Sequence, residues 1–120
     1  MPTNSHNREA YKSALQFEHI VFRILGRITA THPNEAHELA EYTNQMLRCL
    51  RRSNHCIGTN RGQHESIQAA VWMVEALIIL SELRDYKVER ALVTAAIELL
   101  ERTEDHLRSE GSLPPARDSH

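Results

Sequence analysis

Residues that interrupt helices are scarce in this sequence. Only 4 Gly and 4 Pro occur among 120 residues, and Gly111, Pro114 and Pro115 all fall in the last ten. That is too little punctuation for the many turns of an all-β fold. Cysteine is scarcer still, and Cys49 and Cys56 are too few and too close together for a secreted disulfide framework. There is no N-x-Ser/Thr sequon, and MPTNSHNREAYKS lacks a charged stretch followed by an apolar one, so the expected compartment is the cytoplasm. An excess of positive charge is also missing: 14 Lys and Arg stand against 16 Asp and Glu, a net charge of -2. No global field gathers nucleic acid or an anionic membrane surface. The longest apolar run, residues 67–80, contains Gln68 and Glu75 and is shorter than the roughly 18 residues of a membrane span, so a core helix is expected there.

What is present is a soluble globular balance, 41% hydrophobic and 25% charged, in a chain long enough for one domain. The periodicity predicts an all-α bundle of about four helices over residues 1–110, followed by a disordered tail over residues 111–120. The first helix is expected from an N-cap at Asn4 or Ser5 to about Ala30. Its stripe of Phe17, Val21, Ile24 and Ile28 is joined by a second stripe of Tyr11, Leu15, Phe22 and Leu25. Pro33 suits the first turn of a second helix reaching about Arg52, with Glu35 and Glu38 early and Arg48, Arg51 and Arg52 late, as the helix dipole favours. Residues 53–62 read as a loop. In residues 67–83, 13 of 17 are apolar, a third helix that is hydrophobic almost all round and needs cover on more than one side. A turn is expected at Arg84-Asp85-Tyr86 with Asp85 as the next N-cap, although the absence of Gly and Pro leaves a continuous helix open. The fourth helix is expected over residues 87–109, with Gly111 as its C-cap.

Motifs for site chemistry are weak. Cys49, His55, Cys56 and His64 are possible metal ligands by type, but six residues separate the cysteines, unlike the usual spacing of structural zinc sites. No Glu-x-x-His occurs, the pair that puts two di-iron ligands on one helical face. Cys56 and His64 have no Gly-rich elbow nearby for nucleophilic catalysis. DNA recognition needs a basic exposed helix face, yet residues 67–83 hold no Lys or Arg and the fourth helix mixes both signs. The expectation is a protein without enzymatic activity, metal or cofactor. The alternatives are a metal-binding or redox-sensing bundle built on Cys49 and Cys56, and a general helical adaptor or secretion chaperone.

What remains is surplus apolar surface, and an over-apolar helix in a small domain is often completed by a second chain. A homodimer through the third helix is expected, and Phe17, Phe22, Leu25, Trp72, Met73 and Ile79 are candidate protein-interface residues, with the division between the second copy and a partner left open by the sequence. Cys56-Ile57-Gly58, Gly62-Gln63-His64, Ile67, Ala69 and Met73 resemble the middle of TraM-type antiactivators, small helical proteins that sequester LuxR-type quorum-sensing receptors. Over nearly the whole length, the size, the helix order and the run HESIQAAVWMVEALIILSEL look more like the QslA-type antiactivators of the receptor LasR. The chain departs from the TraM pattern after Leu83, so TraM-like binding geometry is not carried over. The resemblance implies a non-enzymatic dimer that binds the ligand-binding domain of a LuxR-type acyl-homoserine-lactone receptor and keeps it from dimerising and engaging DNA. It implies no catalytic residues and no direct contact with nucleic acid or membrane.

Overall fold

The computed structural model describes residues 8–114. It is all-α there, with α1 at Glu9–Ile28, α2 at Pro33–His55, α3 at Asn60–Asp85 and α4 at Arg90–Ser109. Each four-residue connection is short enough to make chain neighbours antiparallel. α1 packs on α2 and α4, and α3 packs on α2 and α4, while the backbones of the diagonal pairs stand further apart. The molecule measures 47 × 36 × 20 Å, and its thinnest dimension is about that of two helix layers at 8–10 Å axial spacing. The core lies where the amphipathic stripes meet: Phe17, Val21 and Ile24 from α1, Leu39, Met46 and Leu50 from α2, Ala69, Ala76 and Leu80 from α3, and Val93, Ala96 and Leu107 from α4.

The helix ends differ from expectation where tertiary contacts replace local signals. The expected N-cap at Asn4 or Ser5 lies outside the described residues. The N-cap position next to Glu9 is Arg8, whose side chain makes no capping bond. Instead the Glu110 carboxylate, from the far end of the chain, accepts a hydrogen bond from the Ala10 N–H at 3.4 Å. The loop expected over residues 53–62 shrinks to residues 56–59. α2 runs on to His55 because Ser53 and Asn54 are buried and bonded, and Thr59 starts α3 by accepting from the Gly62 N–H at 3.0 Å. The tail boundary also moves, since Leu113 is buried and Ser112 is bonded to Arg8, so ordered packing extends past residue 110. Residues 115–120 lie outside the described residues.

The turn between α3 and α4 falls over residues 86–89, so Glu89 and not Asp85 precedes α4. The Val88 N–H bonds to the Leu83 carbonyl and the Lys87 N–H to the Arg84 carbonyl, both at 2.9 Å, the pattern of a Schellman C-cap. This motif puts its C′ residue in the left-handed region, and Lys87 sits there with φ 59°. Gly111 fills the same role after α4 with φ 76°, as expected for a glycine. A side chain at such a φ carries a steric penalty that glycine avoids. Lys87→Gly should therefore stabilise the fold by about 0.5–1 kcal/mol, read as a higher urea midpoint at unchanged slope. A lower midpoint would show that the lysine stem contributes more than its backbone costs.

Candidate functional site

One end of the bundle is polar and closed on itself. Arg8 is buried where the start of α1 meets the ends of α2 and α4. Its Nε donates to Glu110 Oε1 at 3.1 Å, Nη1 to Asn54 Oδ1 at 3.0 Å and to Ser53 Oγ at 3.3 Å, and Nη2 to Ser112 Oγ. Ser53 and Ser66 hydroxyls then join α2 to α3 at 2.5 Å. A cavity of 320 Å³ opens beside these groups, lined also by residues of the turn before α3. All three guanidinium nitrogens are engaged, and Glu110 answers the charge. The arrangement is a structural clasp rather than an anion site, because a bound anion would displace bonds already made.

The thiols give no sign of a reactive centre. Cys49 and Cys56 are both unpaired thiols, and no three His, Cys, Asp or Glu side chains come together as a ligand group among the described residues. Burial, and then the neighbouring Glu65 carboxylate, push the Cys49 thiol pKa up, against the smaller opposing effect of Arg52. A raised pKa disfavours the thiolate, the form that attacks or binds metal.

Apolar surface is the unusual feature, and it forms two patches. On α3, Ile67, Val71, Val74 and Ile78 are 42–51% exposed. At 100° per residue they form one stripe opposite the buried line of Ala69, Met73, Ala76, Leu80 and Leu83. On the outer face of α1, Phe22 is 58% exposed and Leu15 is 42% exposed. Leu15 also borders an open hollow of 490 Å³ with Gln16, His19, Ile20 and Leu99. Exposed aliphatic and aromatic side chains that are contiguous, rather than scattered, mark interaction surfaces.

The candidate residues divide between core and surface. Phe17 has no exposure, and Met73 and Ile79 are also buried, so these three are corrected from interface anchors to core residues of a single chain. Leu25 and Trp72 are partly buried against that core, Trp72 by stacking on Tyr42 with ring centroids 5.8 Å apart. Phe22 alone of the six is largely exposed. The α3 stripe was not anticipated because a helix apolar all round gives no contrast between its faces. The usable signal was the placement of Gln68, Glu75 and Glu82 along one flank, which separates the buried line from the exposed one.

α3 is also long and apolar enough to cross a membrane by length and composition, with a mean hydropathy of 1.5 over its best window. This differs from the reading of residues 67–80, since the helix has 26 residues. Its inner face nonetheless packs into the bundle core. No family model, curated protein or solved structure matches the chain at a significant level.

Proposed function

We propose that this chain is a non-enzymatic, cytoplasmic antiactivator of quorum sensing that binds the ligand-binding domain of a LuxR-type receptor, LasR-like, and withholds it from dimerisation and DNA. The observation that carries this reading is the pair of separate apolar patches on a small helical protein whose buried Arg8 is held in structural bonds. The receptor class comes from the resemblance of residues 64–83 to the QslA-type antiactivators. Sequestration needs no chemistry, only a complex that competes with the receptor's own dimer. The exposed face of α1 suits this role, because Phe22 is an exposed aromatic anchor of the kind that dominates binding energy, and Leu15, seven residues earlier, lies on the same face of the helix.

The test is a gel-shift titration of purified receptor on its promoter. Adding this protein should release the DNA. The effect should change little between about 50 and 200 mM salt, since an apolar contact lacks the steep salt dependence of a competitor that mimics DNA charge. An unchanged shift at large excess, or a supershift, refutes sequestration.

A further inference from the structure

We infer that the seam between α1 and α4 is a docking groove for an acidic amphipathic helix of another protein. Its floor is the hollow that Leu15, Ile20 and Leu99 border with Gln16 and His19. Its rims carry charge of one sign. Along the side of α1 that faces α4, Lys12, Gln16, His19, Arg23 and Arg27 recur at spacings of four, three, four and four residues, which makes one line on a helix. Along the side of α4 that faces α1, Leu92, Ala95, Leu99, Arg102 and His106 recur at three, four, three and four. Neither line holds a carboxylate, in a chain whose net charge is -2.

Two ion pairs fix how these lines meet. Arg8 reaches Glu110 at 3.1 Å and Arg27 reaches Glu89 at 3.5 Å, so α1 and α4 run antiparallel, and interpolation between the pairs sets Arg102 level with Leu15 and Arg23 level with Thr94. The two arginines therefore stand about 12 Å apart along the seam, close to two helical turns, with the hollow between them. At the ends of the α1 line the charge is already answered, Lys12 by Glu9 at 3.4 Å and Arg27 by Glu89. Arg23 and Arg102 are exposed and have no ion pair among the described residues. Glu98 and Asp105 sit further round α4, and Asp105 lies 3.9 Å from Arg108 instead. The unanswered charge thus flanks the apolar floor. A partner helix with carboxylates two turns apart and apolar side chains on the turn between them meets both arginines and fills the floor at once.

The sign of the rims sets the partner. A basic helix is repelled, and a nucleic acid that met the arginines would leave Leu15, Ile20 and Leu99 against its sugar-phosphate backbone. The other apolar surface has the opposite rim, since α4 places Glu101 and Glu104 beside Met73, Val74 and Leu77 of α3. An acidic helix is turned away there. This inference rests on charge and geometry between α1 and α4 and does not depend on the receptor reading, which Phe22 carries.

Fluorescence anisotropy of a labelled peptide titrated with the full chain tests the groove. The probe has about 16 residues of Leu, Ala and Glu, with leucines on one helical face and two glutamates seven residues apart beside them. Combining Arg23→Glu with Arg102→Glu, both at exposed positions and with helicity unchanged by circular dichroism, should weaken binding at least tenfold. The same double variant should bind a probe with lysine in place of glutamate more tightly than wild type does, a rescue that no folding defect produces. If the reversal fails to fold, Arg23→Gln with Arg102→Gln should still weaken the glutamate probe about threefold or more. Raising salt from about 50 to 200 mM should weaken wild-type binding, and replacing the leucines of the probe with serine should abolish it. Val71→Asp, on the exposed face of α3, should change nothing. Four results would overturn the proposal: no binding of the glutamate probe to wild type; a lysine probe that binds wild type as well as the glutamate probe; loss of binding in Val71→Asp, which places the peptide on α3; or wild type that floats with phosphatidylglycerol vesicles and leaves them in the double variant, which assigns the basic rims to a bilayer. Because none of these readouts contains the receptor, a failed gel-shift assay leaves the groove standing, and a failed groove leaves the antiactivator reading to its own test.

Discussion

Replacing Gly62 with alanine should destabilise the fold by about 3 kcal/mol, the upper range for forcing extra volume into a packed site. An added Cβ would stand 2.0 Å from the Cys56 carbonyl oxygen and 2.7 Å from its carbon. Both are backbone atoms, so no rotamer change relieves the clash. α3 would have to move away from the end of α2. That movement strains the turn in which Thr59 Oγ1 accepts from the Gly62 N–H at 3.0 Å and donates to the Cys56 carbonyl at 2.6 Å. Gly26 is the control, because it lies exposed in the last turn of α1 with nothing within 4 Å of an added Cβ. Gly26→Ala should raise stability by about 0.5–1 kcal/mol through helix propensity alone. Urea unfolding followed by far-UV circular dichroism reads both. Equal effects at the two glycines would mean that the close approach of α2 and α3 is not a feature of the protein.

The contrast between these glycines also shows which parts of the fold can be read from sequence. The helices and their buried faces follow from local periodicity, and Pro33 opens α2 as its missing N–H allows. The junctions do not, because they depend on residues distant in the chain. SNHCIGTNRG has the composition of a loop, yet Ser53 and Asn54 continue α2 since Arg8 and Ser66 bond the Ser53 hydroxyl and Arg8 donates to Asn54 Oδ1. The start of α1 has its carboxylate cap supplied by Glu110. No window of neighbouring residues contains that information. The interaction surface was hard to read for a different reason. In α1 the stripe of Phe17 stands apart from that of Phe22, yet both phenylalanines read as interface candidates, and in α3 the aliphatic residues of the exposed stripe are chemically like those of the core. Only the packing of α2 and α4 decides between Met73 and Val74.

The same distinction separates folding from function in α1, where two phenylalanines five residues apart should respond oppositely. Phe17→Ala should cost about 3–5 kcal/mol, because the ring is fully buried among α1, α2 and α4 and its removal leaves a cavity as well as lost transfer energy. A loss of that size is a large fraction of the stability of a typical domain, so inhibition of the receptor would fall only through loss of folded protein. Phe22→Asp should change stability by no more than about 0.5 kcal/mol, since the ring is already 58% exposed. It should nevertheless weaken inhibition in the gel-shift titration at least tenfold, about 1.4 kcal/mol, by placing a carboxylate where an aromatic anchor is buried in the complex. If Phe22→Asp inhibits as well as wild type while remaining folded, the outer face of α1 does not face the receptor, and Val71→Lys then asks whether the α3 stripe does. If Phe17→Ala unfolds at the same urea concentration as wild type, the packing of α1 on the bundle is wrong, and the division of its face into core and surface goes with it.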